Sequence, residues 1–280
     1  MDTTLIITDL DGTLLSTDKK VGEKTRQAIR ELKNRGILFG IASGRPVESG
    51  EILCHEWGLD DSISFLVGMN GGAMLDRRTG QKEEYAHVDG DVILEIINHF
   101  KVLPDLHFEV MVGNDRYVEW STPETLENAK IFGENEIIVN FDEFLPGRKV
   151  NKLVIRSKEE DQPKVIERAK SYSNPTVASF PTSEILYEYV DPAINKGYGL
   201  AKVIEHYGLS PENIIAFGDQ ANDIEMLKEA GLGVAMKNAS AVAKEAADVI
   251  LDYTNDEDGI GHYILETVLQ DNPDRLEQPQ

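Results

Sequence analysis

Residues 6–15 read IITDLDGTLL, and the reading of this stretch decides the fold. Leu5, Ile6 and Ile7 form a continuous apolar run that Gly12 and Thr13 end. An apolar run closed by a turn signal predicts a strand covered on both faces. Asp9 and Asp11 stand at its mouth, one residue apart. One reading makes them an acidic strand end that caps a turn. The other places a site at the carboxyl end of a parallel strand, where open α/β sheets bind ligands.

The segments downstream favour a parallel sheet. EKTRQAIRELKNRG carries Ala28, Ile29 and Leu32 at helical spacing and stops at Gly36. ILFGIAS is a second buried strand, RPVESGEILCHEWG a helix with Pro46 in its first turn, and SFLVGMN a third strand. Alternating strand and helix at this spacing indicates a parallel sheet. The rhythm then changes. A hairpin is expected around Thr79–Gly80, followed by a helix (DVILEIINHF), two short strands (LHFEVMVG and DRYVEWS) and a stretch of mixed character to Gly147. KVNKLVIRS reads as a strand, KEEDQPKVIERAKSYS as a helix, and two more strands reach Val190. From Lys196 the α/β alternation resumes through NIIAFGD, LGVAM and DVIL. The expected fold is α/β: a Rossmann-like parallel-sheet core of residues 1–85 and 189–280, interrupted by an α+β insert of residues 86–188.

Composition narrows the function. The chain has 280 residues, 41% of them apolar, which supports a sizeable core, and a formal charge of −22. Such an acidic surface repels nucleic-acid phosphates and anionic lipid, so neither is expected as a partner. No run approaches the roughly 20 apolar residues of a membrane span, and the N-terminus lacks the pattern of a signal peptide. The single cysteine, Cys54, forms no intramolecular disulfide and reads as a packed thiol. A cytoplasmic protein is expected, monomeric or weakly homo-oligomeric, with a solvated C-terminal tail. If its substrate is an anion, the site must supply its own positive charge.

Four stretches lie at strand ends or helix starts: DLDGT (9–13), ASGR (42–45), NKG (195–197) and GDQAND (218–223). Asp9, Asp11 and Asp219 offer hard oxygen ligands, which select Mg²⁺ over zinc. Asp9 and Asp219 meet only if their strands are neighbours, which the similar runs LIITD and IIAFGD allow. In an extended strand Asp9 and Asp11 point to one side. One carboxylate is then placed to attack phosphorus while the other handles a proton. Ser43 and Gly44 ahead of a helix make an anion cradle. Lys196 at a helix start, with Arg45, supplies the missing positive charge. Each piece alone has an ordinary explanation, as a turn, a cap or a solvated lysine. Their joint occurrence, in order and at matching strand ends, does not.

DLDGTLL, IASGR, NKG and GDQANDIEML resemble the four motifs of the haloacid dehalogenase superfamily, and most closely its Cof-type phosphatases, which carry a large cap between the second and third motifs. The resemblance covers the whole chain. It implies Asp9 as nucleophile and Mg²⁺ ligand, Asp11 as general acid/base with its backbone carbonyl on the metal, and Asp219 as the remaining protein ligand. It implies that the Leu10 backbone, Ser43, Gly44 and Lys196 hold phosphate, that Asn222 assists, and that Asp223 supports the metal shell. Asn70 in MNGG resembles an Asn-Gly near the substrate, although Gly72 stands where Ala is commoner. The dehalogenases themselves lack the second aspartate, so Asp11 favours phosphoryl chemistry. The expected substrates are small phosphorylated metabolites, sugar phosphates first, selected by the cap. Two rivals are a phosphomutase on the same fold and a non-catalytic sensor of a phosphorylated metabolite. The sensor would be marked by a missing nucleophile or acid, and neither is missing. The six histidines show no ligand spacing, and no Gly-X-X-X-X-Gly-Lys-Ser/Thr loop exists. Trp57, Phe108, Tyr117 and Trp120 read as packing residues, the alternative for Phe108, Tyr117 and Trp120 being a place facing the cleft.

Overall fold

A computed structural model describes residues 2–271. The expected C-terminal tail lies mainly outside the described residues. The chain forms two compact units. One runs through Glu84 and resumes at Asn195; the other is Tyr85–Ile194.

In chain order the first unit contains β1 (Leu5–Asp9), α1 (Glu23–Asn34), β2 (Leu38–Ala42), α2 (Val47–Glu56), β3 (Phe65–Gly68), β4 (Ala73–Asp76) and β5 (Gln81–Glu84). The second unit follows with β6 (Val88–Asp89), α3 (Gly90–Phe100), β7 (His107–Val112), β8 (Asp115–Val118), α4 (Pro123–Phe132), β9 (Asn135–Ile138) and α5 (Phe141–Phe144). It continues through β10 (Lys149–Val150), β11 (Lys152–Arg156), α6 (Gln162–Lys170), β12 (Ala178–Pro181) and β13 (Leu186–Val190). The chain then returns to the first unit with α7 (Lys196–Tyr207), β14 (Ile214–Gly218), α8 (Ile224–Glu229), β15 (Leu232–Ala235), α9 (Ala241–Ala246), β16 (Val249–Ile250) and α10 (Gly259–Tyr263).

The first unit is built on an eight-stranded sheet ordered β16-β15-β14-β1-β2-β3-β4-β5. All its pairings are parallel except β3–β4 and β4–β5. Every residue of β1 is buried, which is why its sequence shows no polar alternation. β1 lies between β14 and β2, with Asp9 opposite Ala42 and Thr8 opposite Phe217. The carboxyl ends of these three strands therefore open on one edge of the sheet. α1 buries Thr25, Ala28, Ile29 and Leu32, the stripe its sequence spacing predicts. β4 and β5 form the hairpin expected around Thr79–Gly80, with Gly80 at φ 76°.

The second unit carries a six-stranded sheet ordered β12-β13-β11-β7-β8-β9, antiparallel except for β8–β9. β13 pairs with β11 on one side and β12 on the other. A boundary at residue 188 would cut this strand, and residues 189–194 belong with the second unit. One face of the sheet holds a core that includes Ile93, Ile97, Phe100, Val110, Leu153, Ile155 and Tyr189. The alternate positions place His107, Glu109, Arg116, Glu136, Lys152, Arg156 and Glu188 on the opposite face. These charges pair among themselves. Arg156 Nε donates to Glu109 Oε1 at 2.6 Å, Lys152 Nζ donates to Glu188 Oε1 at 2.9 Å, and Arg116 donates to Glu134. The stretch of mixed character before Gly147 forms α4, capped by Thr122, and the edge strand β9.

Phe108 and Trp57 are buried, and Tyr117 stacks on Phe144 at 4.2 Å between centroids. Trp120 departs from expectation. It is 46% exposed, its ring edge-on to His107 and its carbonyl accepting the His107 Nε2 hydrogen at 2.8 Å.

Candidate active site

Asp9 is the last residue of β1, and Asp219 directly follows β14 on the neighbouring strand. The sheet therefore brings together two carboxylates far apart in sequence. Asp223 joins them from the turn Ala221–Asp223. One ligand atom from each of these three buried residues lies within 4.8 Å of the others. Lys196 opens α7, whose start is fixed by Asn195 Oδ1 accepting the Tyr198 N–H at 2.8 Å. Its ammonium, 1% exposed, donates to Asp9 Oδ1 and, at 2.5 Å, to Asp223 Oδ1.

The supporting contacts assign different positions to the three acids. Asp223 Oδ2 accepts the backbone N–H groups of Asp219 and Gln220, each at 2.9 Å, so Asp223 braces the turn. Asp219 Oδ1 accepts from Thr13 Oγ1 at 2.7 Å, and its Oδ2 from Gln220 Nε2 at 3.0 Å. Gly12 completes this wall at φ 89°, and a methyl group there would stand 2.6 Å from Asp219 Oδ2. Sequence reasoning did not find the roles of Thr13 and Gln220. Their only signal was adjacency to the aspartate motifs.

Electrostatics explain what the cluster lacks. Burial, aided by Asp223 and Asp219, pushes Asp9 up to about 7 against the attraction of Lys196. Burial likewise raises Asp219 against the hydrogen bonds from Thr13 and Gln220. Burial alone would lower the Lys196 ammonium, but Asp9 and Asp223 more than reverse it and keep it charged. Three carboxylates thus share one ammonium among the described residues in a buried site. An all-oxygen donor set with excess negative charge fits a small, hard divalent cation.

Asp11 stands apart from the cluster. Its carboxylate accepts from Lys19 Nζ at 2.7 Å and from Arg45 Nη2 at 2.9 and 3.2 Å. Burial would raise its pKa, yet Arg45 and Lys19 outweigh burial and hold it below the usual carboxylate range. Arg45, expected on phosphate, here pairs with Asp11. Lys19 is a second partner that the motifs did not indicate. Ser43 follows the residue paired with Asp9, and its Oγ accepts the Arg45 N–H at 3.2 Å ahead of α2, for which Pro46 is the N-cap. Asn70 donates its N–H to the Ser43 carbonyl at 2.9 Å, and its amide lies against Gly44. The Leu10 side chain is buried and its carbonyl accepts the Leu15 N–H at 2.9 Å, while Asn222 is on the exposed side of its turn. Cys54 is buried, which pushes its thiol up to about 11 and leaves it protonated at neutral pH. No helix among the described residues is long and apolar enough to cross a membrane.

Comparison with known proteins agrees with this geometry. The family model for haloacid dehalogenase-like hydrolases matches residues 6–264. Two Bacillus subtilis proteins named 5-amino-6-(5-phospho-D-ribitylamino)uracil phosphatase are similar across nearly their whole length. YcsE is 33% identical, covering 96% of this chain and 97% of its own. YitU is 31% identical, covering 94% and 96%. Among solved structures, a haloacid dehalogenase-like hydrolase from Bacteroides thetaiotaomicron superposes with a TM-score of 0.82 at 27% identity, covering 94% of this chain and 99% of that one. With the motif residues at the strand ends and both termini of the core matched, the chain belongs to the haloacid dehalogenase-like hydrolases and is a Cof-type phosphoric monoester hydrolase.

Proposed function

We propose that the protein is a Mg²⁺-dependent phosphatase that cleaves small phosphate monoesters of polyhydroxylated alcohols through a phosphorylated Asp9. The observation that carries this reading is the buried trio Asp9, Asp219 and Asp223, with Lys196 as the one cation bonded to it among the described residues. Asp9, Asp219 and the Asp11 backbone carbonyl would hold Mg²⁺. Bound there, it would neutralise the repulsion between Asp9 and an incoming phosphate dianion.

The chain's own residues divide the remaining work. The Asp9 carboxylate attacks phosphorus, and the ester oxygen leaves with a proton from Asp11. Asp11 then removes a proton from the water that hydrolyses the acyl phosphate. Arg45 and Lys19 stabilise Asp11 as a carboxylate, the form this second step requires. For the first step Asp11 must carry a proton, and an arriving phosphate favours this by drawing the Arg45 charge to itself. Lys196, Ser43 Oγ and the backbone N–H groups around Gly44 and Leu10 bind phosphate oxygens, and Asn222 assists them. The inserted unit holds none of these groups, and we assign to it the choice among larger leaving groups.

The substrate class follows from chemistry and from the relatives. A phosphate held by Ser43 and Lys196 looks alike in every monoester, so selection rests on the alcohol. The names of YcsE and YitU specify a phosphorylated ribityl chain, a linear polyol. The test is phosphate release from a panel of sugar and polyol phosphates with Mg²⁺ and with EDTA. Metal-dependent turnover, fastest on polyol phosphates, is the expected result; full activity in metal-free protein refutes it. Release of free phosphate without a bisphosphate requirement separates this hydrolase from a phosphomutase.

A further inference from the structure

The loop after β1 contains a weak point. Gly12 stands at φ 89°, and a methyl group there would lie 2.6 Å from Asp219 Oδ2, so position 12 admits no side chain. Glycine is also the residue with the greatest backbone freedom. Yet the residue that follows it carries a contact to the site. Thr13 is buried and donates its Oγ1 hydrogen to Asp219 Oδ1 at 2.7 Å. The loop's own N–H groups tie down other points. Leu14 N–H donates to the Asp9 carbonyl at 3.3 Å, and Leu15 N–H to the Leu10 carbonyl at 2.9 Å. The peptide between Gly12 and Thr13 is held from outside the loop.

Asn238, between β15 and α9, holds it. Its Nδ2 donates to the Gly12 carbonyl at 2.8 Å, and its Oδ1 accepts the Asn255 N–H at 3.0 Å. A carbonyl on one side and an N–H on the other leave the amide a single orientation, which aims Nδ2 at Gly12. Asn255 in turn donates its Nδ2 hydrogen to the Leu15 carbonyl at 2.8 Å. The segment around Asn238 also grips the neighbouring strand end. Ser240 N–H donates to the Asp219 carbonyl at 2.8 Å, and Met236 N–H to the Gly218 carbonyl at 3.2 Å. Residues 236–240 therefore hold Asp219 twice, by its backbone directly and by its carboxylate through Gly12 and Thr13. Asn238 is exposed and fills no core, so its side chain contributes little to folding beyond these two bonds.

We propose that Asn238 is a positioning residue for the metal site: by tethering the Gly12–Thr13 peptide it keeps Thr13 on Asp219 and so holds that carboxylate ready for the cation. This rests on the Mg²⁺ reading of the site and adds to it a residue outside the four motifs. Asn238 acts through Thr13 and not on the cation itself.

The experiment is calorimetric titration of the full chain with MgCl₂, with thermal melting in EDTA to establish that each protein is folded. The proteins are the wild type, Asn238→Ala, Thr13→Val, the double variant and Asn255→Ala. Asn238→Ala should melt close to the wild type in EDTA yet bind Mg²⁺ about threefold to tenfold more weakly, the scale of one neutral hydrogen bond. Thr13→Val should weaken binding as well. Because the two residues act along one path, the double variant should bind no more weakly than Thr13→Val alone; losses that multiply overturn the proposal. Asn255→Ala removes the brace on Leu15 and leaves the Gly12 bond, so it should keep the wild-type affinity. A loss there equal to that of Asn238→Ala overturns the proposal, and this arm decides the case even if Thr13→Val does not fold. Wild-type affinity in Asn238→Ala overturns it too, and then only the Asn238 assignment falls. If the wild type itself binds no Mg²⁺, the metal reading falls first and the assignment with it.

Discussion

Replacing Asp9, the proposed nucleophile, should make the metal-free protein more stable. Asp9 is 8% exposed, and its pKa is pushed up from 3.8 to about 7 by burial and by Asp223 and Asp219. Between these two values the folded protein holds a proton that the unfolded chain has released. Stability from this group is therefore present below about pH 4 and is lost as pH rises through about 7. At 1.36 kcal/mol per pKa unit the loss is about 4 kcal/mol. Asp9→Asn removes the titration while keeping the shape. Relative to the wild type it should gain up to about 4 kcal/mol between pH 4 and pH 8 in EDTA. Saturating Mg²⁺ should reverse the order, because a cation that binds only folded carboxylates stabilises the wild type more. The assay is urea denaturation across this pH range. A Trp120→Phe background leaves Trp57, in the first unit, as the fluorescent reporter. A wild-type-to-variant difference that stays flat from pH 4 to pH 8 without metal would refute the argument. So would Mg²⁺ stabilising both proteins equally.

Other perturbations test separate parts of the site and the fold. Gly12→Ala puts a methyl group 2.6 Å from Asp219 Oδ2 on a backbone at φ 89°; calorimetric titration should show Mg²⁺ affinity falling at least about tenfold, the lower range for a disturbed ligand support. Asp11→Asn keeps a nucleophile but no proton donor, so kcat on alkyl phosphates should fall by roughly 10²–10⁴. Aryl phosphates, whose leaving groups need less help, should lose less, and equal losses would contradict the acid role. Arg116→Met removes the cation that Glu109, Glu134 and Glu136 surround. It should destabilise the second unit by about 3–5 kcal/mol, the cost of breaking a buried pair. Denaturation followed by Trp120 fluorescence checks this, and a change under about 1 kcal/mol would place the pairing among the weak surface kind.

The parts of the fold legible in the sequence are those whose neighbours are close in sequence or whose pattern has only one use. β1, β2, β3 and β14 are uninterrupted apolar runs, and only strands buried on both faces need such runs. Thr79–Gly80 marked its hairpin because the turn demands a positive φ, which Gly80 adopts. α4 and β9 were not legible, since neither carries a continuous apolar stripe and β9 is an edge strand with Ile138 exposed. The charged face of the second unit's sheet was hidden for another reason. HFEVMV and KLVIR place their charged residues at alternate positions, and alternation alone assigns those residues to water. Their burial depends on Glu109 meeting Arg116 and Arg156, partners that strand order alone determines. The same limit applied at the site. The motifs singled out Asp9, Lys196, Asp219 and Asp223, while the contacts of Thr13, Lys19 and Gln220 required the tertiary structure.

Buried charge occurs in both units, and its balance distinguishes a structural cluster from a reactive one. On the second unit's sheet the acids are Glu109, Glu134, Glu136 and Glu188, and the fixed cations are Arg116, Lys152 and Arg156. His107 lies beside them. Its Nε2 hydrogen is committed to the Trp120 carbonyl, which leaves Nδ1 facing Glu109 Oε1 at 3.6 Å. Burial disfavours a proton there, but Glu109 and the Trp120 carbonyl outweigh burial and raise the imidazole pKa. Four acids thus face three fixed cations and an imidazole whose proton Glu109 favours, and this near balance suits eight ionisable groups lying away from water. The cluster at the end of β1 has no such closure. Among the described residues its three carboxylates have Lys196 alone, and burial, with their mutual repulsion, raises Asp9 and Asp219. A fold that needed these groups only for stability would gain by replacing an aspartate with a neutral residue. Retaining the imbalance makes sense where the missing charge arrives from solution, as the divalent cation proposed for this site.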